Sequence, residues 1–352
     1  MIRILIVEDS TTTRQFLSSL LRTDPEVQVV GEAKNGLEAV EQTKALRPDV
    51  VAMDIDMPVM NGFEAAKRIM SETPTPIVII SNSLNVREVQ VALQALKAGA
   101  LTVLAKPNGS TTPENELECS SFVSTLKIMS QVKVVGHWPD LSREKGQPGS
   151  QRAPRTLPNG KKAKVVAIVA STGGTVALNR IFSELPGNFP VPILVVQHMA
   201  AGFMSGCATW LDVNSSLRVK VGEEGETLAP GTVYLAQDNL HMGVNGQDMI
   251  QYSSADPIEN FRPSGTFLFE SAAKAYGSST LALVLTGMGS DGVAGLKSVY
   301  EAGGWVMAQD EKSSIIYGMP DEAVKSGWTN TVLPLAEIAP WLMEMIGAGV
   351  TL

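Results

Sequence analysis

Short apolar runs alternate with stretches of helical period through the first part of the chain. The runs Ile2–Val7, Val27–Gly31, Val50–Met53, Ile77–Ile80 and Leu101–Leu104 hold few polar residues, as strands buried on both faces do. Between them, Thr12–Arg22, Leu37–Ala45, Phe63–Met70 and Val86–Lys97 place apolar side chains at helical spacing, and Ser121–Val132 predicts one more helix. Such alternation predicts a parallel sheet covered on both sides. The pattern then breaks. From about Gly136 to Lys162 the chain is rich in Gly, Pro, Ser, Arg and Lys, which predicts a flexible linker, and His137 at its start is read as incidental. A new strand is predicted at Val165–Val169. Others follow at Ile193–Val196, Thr232–Leu235, Leu281–Leu285 and Val306–Ala308, with helices at Val176–Leu185, Phe267–Tyr276 and Ala294–Ala302. The expected organisation is an α/β domain at 1–135, a linker at 136–162, and a doubly wound, mostly parallel α/β domain at 163–352.

A chain of 352 residues exceeds one compact core, in keeping with two domains. The net charge of −8, and a C-terminal half without a basic recognition helix, speak against nucleic acid as a partner. Cys119 and Cys207 are too few and too far apart for a disulfide framework or a zinc site. The apolar N-terminal run is short and ends in two acids, and no run is long enough to cross a bilayer. A cytoplasmic protein with reduced thiols and no direct membrane insertion is expected. Only three histidines exist, His137, His198 and His241, so the search for a general base is short.

Three acids carry the first chemical argument. Glu8 and Asp9 follow the first strand and Asp54 follows the third, so a parallel sheet gathers them along one edge. Clustered carboxylates repel unless a hard cation neutralises them, and Mg²⁺ suits this donor set. Lys106, after the fifth strand, and Ser81, after the fourth, reach the same region. An acid, a metal, a cation and a hydroxyl are the parts needed to place a phosphoryl group on a carboxylate. Alone, each is ordinary; an Asp after a strand often caps a helix. Together they resemble the receiver domain of two-component response regulators over residues 1–132, with Met53–Gly62 matching the phosphorylation-site loop. The resemblance implies a flavodoxin-like (βα)5 fold. It also implies Asp54 as phosphoacceptor, Mg²⁺ held by Glu8, Asp9 and Asp54, Ser81 as the hydroxyl switch and Lys106 as the phosphate contact. The phosphodonor it implies is a histidine kinase of the CheA type. Receivers usually carry an aromatic residue three positions before the lysine; Val103 stands there.

In the second half, the strand at Val165–Val169 runs into Ala170-Ser171-Thr172-Gly173-Gly174 and then a helix. A serine at such a turn is exposed at the sheet edge, and the N–H groups of Thr172 to Gly174 are expected to stabilise an oxyanion. His198 and Asp291 follow two other strands, so nucleophile, base and orienting acid have the arrangement of a serine triad. From the residues alone, Ser171-Thr-Gly-Gly equally suits a phosphate-binding turn, His198 a core histidine, and Asp291 the N-cap of the helix after it. Residues 164–346 resemble the catalytic domain of the CheB methylesterases. The likeness lies in Ala170–Gly174, Gln197-His198-Met199 with Gly202-Phe203, Asp238 through His241-Met242, Arg262-Pro263-Ser264, and Thr286–Gly292 with Gly295. It implies Ser171 as nucleophile, His198 as base and Asp291 as orienting acid, with Thr172, Gly173 and Met288 beside the reacting group. His241 is expected to be structural. Three features depart from the family pattern: Val169 replaces Gly, Ala200-Ala201 replace a Pro-containing pair, and Gly265-Thr266 replace Val-Asp.

The implied activity is phosphorylation-activated hydrolysis of glutamate methyl esters, with glutamine deamidation, on the cytoplasmic helices of chemoreceptors. No cofactor is expected for the hydrolase. The receiver is expected to inhibit by covering the catalytic edge. Two other readings remain open: the same hydrolase on a methylated partner outside chemotaxis, and a phosphorylation-gated binding module without catalysis.

Overall fold

The computed structural model describes residues 1–81, 93–96, 98–107, 113–132, 134 and 162–347. Two compact units make up the chain, Met1–Arg143 and Glu144–Leu352. The expected linker lies outside the described residues except for Lys162, as do His137 and most of the helix expected at Val86–Lys97.

In the first unit the strands are β1 (Ile2–Val7), β2 (Val27–Ala33), β3 (Val50–Asp54), β4 (Ile77–Ser81) and β5 (Thr102–Ala105). Their order is β2-β1-β3-β4-β5, and every pairing is parallel. Helices Thr11–Leu21, Gly36–Leu46 and Gly62–Glu72 begin where Ser10, Asn35 and Asn61 accept a backbone N–H from the first turn. The last helix runs from Pro113 to Met129, eight residues ahead of the expected start at Ser121. Its first turns, Pro-Glu-Asn-Glu, carry no apolar periodicity. They instead hold a proline and acids, which favour a helix N-terminus. The strand order reverses between β1 and β3, and ligands of open α/β sheets bind at the carboxyl ends of strands flanking such a switch.

The second unit contains β6 (Val165–Ala170), β7 (Ile193–Gln197), β8 (Arg218–Val221), β9 (Thr232–Leu235), β10 (His241–Val244), β11 (Ile250–Ser253), β12 (Thr280–Val284), β13 (Trp305–Gln309) and β14 (Thr331–Leu333). Seven of them form one sheet in the order β14-β13-β12-β6-β7-β9-β8, with all pairings parallel. Strands β10 and β11 make a separate antiparallel hairpin. The five expected strands are its interior strands β6, β7, β9, β12 and β13. Edge strands β8 and β14 are short and partly exposed, so they lack the long apolar run by which strands are read. Helices Met204–Val213, Met319–Lys325 and Leu335–Ile346 also went unpredicted; Pro340 inside the last one reads as a breaker.

The interior strands β6, β7, β12 and β13 are buried throughout. Each fully buried Val, Leu or Ile contributes roughly 1.5–3 kcal/mol of transfer free energy. Val165, Ala167 and Val169 of β6 share a core with Leu268, Phe269 and Ala272 of helix Gly265–Tyr276. Register places the chemistry. Ala170 lies opposite Gln197, and Val169 opposite Val284. Ser171 and His198 therefore leave adjacent strands side by side, where parallel neighbours stand about 4.8 Å apart.

Candidate functional site

The first unit gathers its acids as expected. One carboxylate oxygen from each of Glu8, Asp9 and Asp54 lies within 4.8 Å of the others. Glu8 and Asp54 are buried, while Asp9 is exposed. Lys106 Nζ stands 2.7 Å from Glu8 Oε2 and 2.9 Å from Asp54 Oδ2. Ile55 donates its N–H to Asp54 Oδ1 at 2.7 Å. Burial pushes the Asp54 carboxyl up to about 6, against the pull of Lys106 and with the help of the Glu8 charge. Burial pulls the Lys106 ammonium down, but Asp54 and Glu8 outweigh it and hold it above its usual range. Three carboxylates around one ammonium leave negative charge uncompensated, and this oxygen donor set fits Mg²⁺. Ser81 ends β4, beside the Asp54–Ile80 pair, and its carbonyl accepts the Lys106 N–H. Val103 is buried in β5 opposite Ile79, so the position that carries an aromatic in receivers is here a core position.

The raised Asp54 carboxyl makes a stability prediction. Its ordinary value is 3.8, so the folded state holds the proton more tightly than the unfolded chain. Ionising Asp54 therefore costs stability above about pH 6, and the cost fades as pH falls toward 4. A displacement of this size corresponds to about 2–3 kcal/mol. In buffer free of divalent cations at pH 7, Asp54→Asn is expected to raise the unfolding midpoint of the first unit, with the advantage shrinking by pH 5. An Asn variant no more stable than wild type at pH 7 would refute the reading.

The second unit brings His198 and Asp291 together. Asp291 is fully buried, and its Oδ2 lies 2.9 Å from His198 Nε2. Three further donors converge on the carboxylate. Ser264 Oγ donates to Oδ1 at 2.6 Å, Gly265 N–H to Oδ2 at 2.6 Å, and Thr266 N–H approaches Oδ1 at 3.4 Å. The N–H donors belong to the first turn of helix Gly265–Tyr276, whose positive end favours a carboxylate. Burial alone would raise the Asp291 carboxyl, but His198, Ser264 and Gly265 hold it below the usual carboxylate range. Asp291 does not cap the helix after it. Gly292 stands at that N-cap, and its N–H goes to Thr266 Oγ1 at 3.1 Å.

Ser171 is half-buried, and its backbone is pinned on both sides. Its N–H donates to Thr286 O, and its carbonyl accepts from Gly174 N–H at 2.8 Å and Gln197 Nε2 at 2.9 Å. Among the described residues, Ser171 Oγ makes no hydrogen bond, and both His198 ring nitrogens are buried without an aligned hydrogen bond, Nε2 meeting Asp291 Oδ2 as a close contact and Nδ1 facing no partner. The Phe261 ring stacks on the imidazole with centroids 4.4 Å apart. The expected oxyanion donors need one correction: Gly174 N–H already closes the turn on Ser171 O. The N–H groups of Thr172, Gly173 and Met288 carry no hydrogen bond among the described residues and remain available. Gly173 has φ +79°, a left-handed turn that L side chains seldom adopt. His241 is fully buried, accepts Ser264 N–H at Nδ1 (3.2 Å), faces Asp256 O with Nε2 (3.1 Å) and stacks on Phe267.

Sequence reasoning gave no role to Gln197 or Thr286. Gln197 Nε2 also donates to His198 O at 2.8 Å, so one buried amide ties the backbones of Ser171 and His198. Thr286 Oγ1 donates to Thr172 O at 3.0 Å and accepts Ile316 N–H at 3.0 Å. The available signal was a polar residue at the inner end of an apolar strand, where a buried group needs partners.

Two departures from the family pattern meet in space. A Cβ on Gly265 would fall inside the Val169 side chain, 2.7 Å from Cγ1. The Val169 side chain fills the space that a side chain at 265 would need. Gly265→Val alone is expected to destabilise the second unit by about 1–3 kcal/mol through overpacking. The Val169→Gly/Gly265→Val pair is expected to recover most of that loss in thermal melts. Additive losses would contradict the pairing.

Residues 166–342 match the CheB methylesterase family, and residues 4–116 match the response regulator receiver domain. A protein-glutamate methylesterase/protein-glutamine glutaminase of Myxococcus xanthus is 48% identical over 341 residues, covering 96% of this chain and 95% of that protein. One from Syntrophus aciditrophicus is 41% identical over 348 residues, covering 99% of each. The crystal structure of the Thermotoga maritima CheB methylesterase catalytic domain matches with TM-score 0.51 and 41% identity, covering 52% of this chain and 99% of that one. With its acid pocket and its His198–Asp291 pair each on a parallel sheet edge, the chain belongs to the CheB methylesterase family and carries a response regulator receiver domain.

Proposed function

We propose that this protein hydrolyses glutamate γ-methyl esters, and deamidates glutamine, on the cytoplasmic helices of chemoreceptors, giving adaptation in chemotaxis. The work falls to Ser171, His198 and Asp291, under control of phosphorylation at Asp54 by a CheA-type kinase. The observation that carries the reading is the buried Asp291 carboxylate 2.9 Å from His198 Nε2, on the sheet edge that Ser171 shares.

With Nε2 turned toward Asp291, Nδ1 is the nitrogen that takes the serine proton. Ser171 Oγ attacks the γ-carbonyl carbon as its proton passes to Nδ1. The N–H groups of Thr172, Gly173 and Met288 hold the oxyanion. Nδ1 then returns the proton to the methoxy oxygen, and methanol leaves. Water attacks the acyl-enzyme with Nδ1 again as base, freeing the glutamate. With a glutamine substrate, ammonia leaves instead. General-base help of this kind is worth roughly 10²–10⁴-fold. The Phe261 face attracts the positive charge that the imidazole gains in each step.

Asp54 is the acceptor that a kinase or a small phosphodonor modifies, and Lys106 and Ser81 read the added charge. Glu8, Asp9 and Asp54 would hold Mg²⁺, which when bound offsets the negative charge of the incoming phosphoryl oxygens. No helix among the described residues is long and apolar enough to cross a membrane. We place the protein in the cytoplasm, where the receptor helices are.

A serine-directed phosphonate tests both halves. Labelling is expected at Ser171, faster after treatment with a small phosphodonor, with that acceleration absent in Asp54→Asn. Failure to label Ser171 would overturn the triad, and acceleration of the Asn variant would overturn the role of Asp54.

A further inference from the structure

We infer that Ser264 is a positioning residue for the hydrolysis: its buried hydroxyl orients the Asp291 carboxylate toward His198, and His241 fixes Ser264 in turn. The inference rests on the proposed triad and adds a layer behind it.

Ser264 is fully buried, so its hydroxyl must find protein partners. It finds two. Oγ accepts Thr266 N–H at 3.1 Å, which caps helix Gly265–Tyr276, and donates to Asp291 Oδ1 at 2.6 Å. The single hydroxyl proton is therefore committed to the carboxylate, which makes this a charge-assisted bond. Gly265 N–H and His198 Nε2 both address Oδ2. On Oδ1, Ser264 stands opposite only the long contact from Thr266 N–H. Without the hydroxyl, nothing close holds Oδ1, and Gly265 N–H on Oδ2 is left as the one short donor that sets the plane of the carboxylate. A tilt of that plane would turn the Oδ2 lone pair away from His198 Nε2.

The backbone of Ser264 is held as well. Its N–H donates to His241 Nδ1 at 3.2 Å, while Nε2 of the same ring faces the Asp256 carbonyl at 3.1 Å. The N–H requires a bare Nδ1, and the carbonyl requires a proton on Nε2. Both bonds therefore select one tautomer. Phe267 stacks on this ring as Phe261 stacks on His198. The segment from Phe261 to Thr266 thus touches His198 from one side and its acid partner from the other.

The test uses the full chain with Ser264→Ala and Ser264→Thr. Methanol release from methylated receptor membranes is followed from pH 5.5 to 9. Rates are normalised to active sites titrated with a serine-directed phosphonate, which removes any effect of lost folded protein. Ser264→Ala is expected to lower kcat per active site by about ten- to a hundredfold with little change in KM. Losing a donor makes the carboxylate more basic, which favours the imidazolium, so the acid limb of the pH–rate profile is expected to move to higher pH. Ser264→Thr keeps the hydroxyl and is expected to retain both kcat and the limb. An Ala variant with unchanged kcat per active site and an unmoved limb would overturn the inference, as would a Thr variant as impaired as Ala. Methanol release by Ser171→Ala at the wild-type rate would instead remove the triad on which the inference stands.

Discussion

Replacing Ser171 with alanine is expected to lower methanol release by at least about 10⁴-fold while leaving the fold unchanged. The two effects separate because of where the side chain's bonds are. Ser171 is anchored by its backbone, through Thr286 O, Gly174 N–H and the Gln197 amide. Its hydroxyl makes no hydrogen bond among the described residues, so deleting it leaves no buried partner unsatisfied. The melting temperature is expected to stay within a few degrees of wild type, because no mechanism for a large stability change operates at this site. A variant that melts normally and still releases methanol within tenfold of wild type would remove Ser171 from the chemistry.

Asp291→Asn carries the second large effect, and it falls on activity and stability together. Four donors face the carboxylate: Ser264 Oγ, Gly265 N–H, Thr266 N–H and His198 Nε2. An amide offers one oxygen where two now accept, so its NH₂ must face at least one of those donors. If the amide oxygen takes the Oδ1 place, where Ser264 Oγ and Thr266 N–H donate, the NH₂ meets Gly265 N–H and His198 and selects the wrong ring tautomer. A kcat loss of about 10⁴-fold is the scale for such a change in a serine triad. A buried donor left unpaired costs about 1–3 kcal/mol, so the second unit is also expected to melt at a lower temperature. Steady-state kinetics and a thermal melt on one preparation check both. An Asn variant with kcat within tenfold of wild type would show that Asp291 does not orient the base.

The interior of both sheets was legible because its strands are buried on both faces and read as unbroken apolar runs. Strand ends were legible too, since a parallel sheet collects them on one edge; this is why Glu8, Asp54 and Lys106 meet, and why His198 meets Asp291. Edge strands β8 and β14 were not, because exposure on one side erases the pattern. The use made of each N–H was also hidden. Gly174 looks like an oxyanion donor in sequence, but its N–H is spent closing the turn on Ser171. Gln197 and Thr286 act by bonding to backbone atoms, which carry no mark of residue type. Val169 and Gly265 looked like two unrelated departures until a Cβ on one met the side chain of the other.

In the proposed function, one chain couples a phosphorylatable Asp54 to a Ser171 hydrolase acting on receptor methyl esters. Methanol release from methylated chemoreceptor membranes, with and without a small-molecule phosphodonor, tests it most directly. The intact chain is expected to release methanol, and faster when the phosphodonor and Mg²⁺ are added. No release above buffer under either condition, from protein whose Ser171 still takes a phosphonate label, would contradict it and point to a different methylated or amidated substrate.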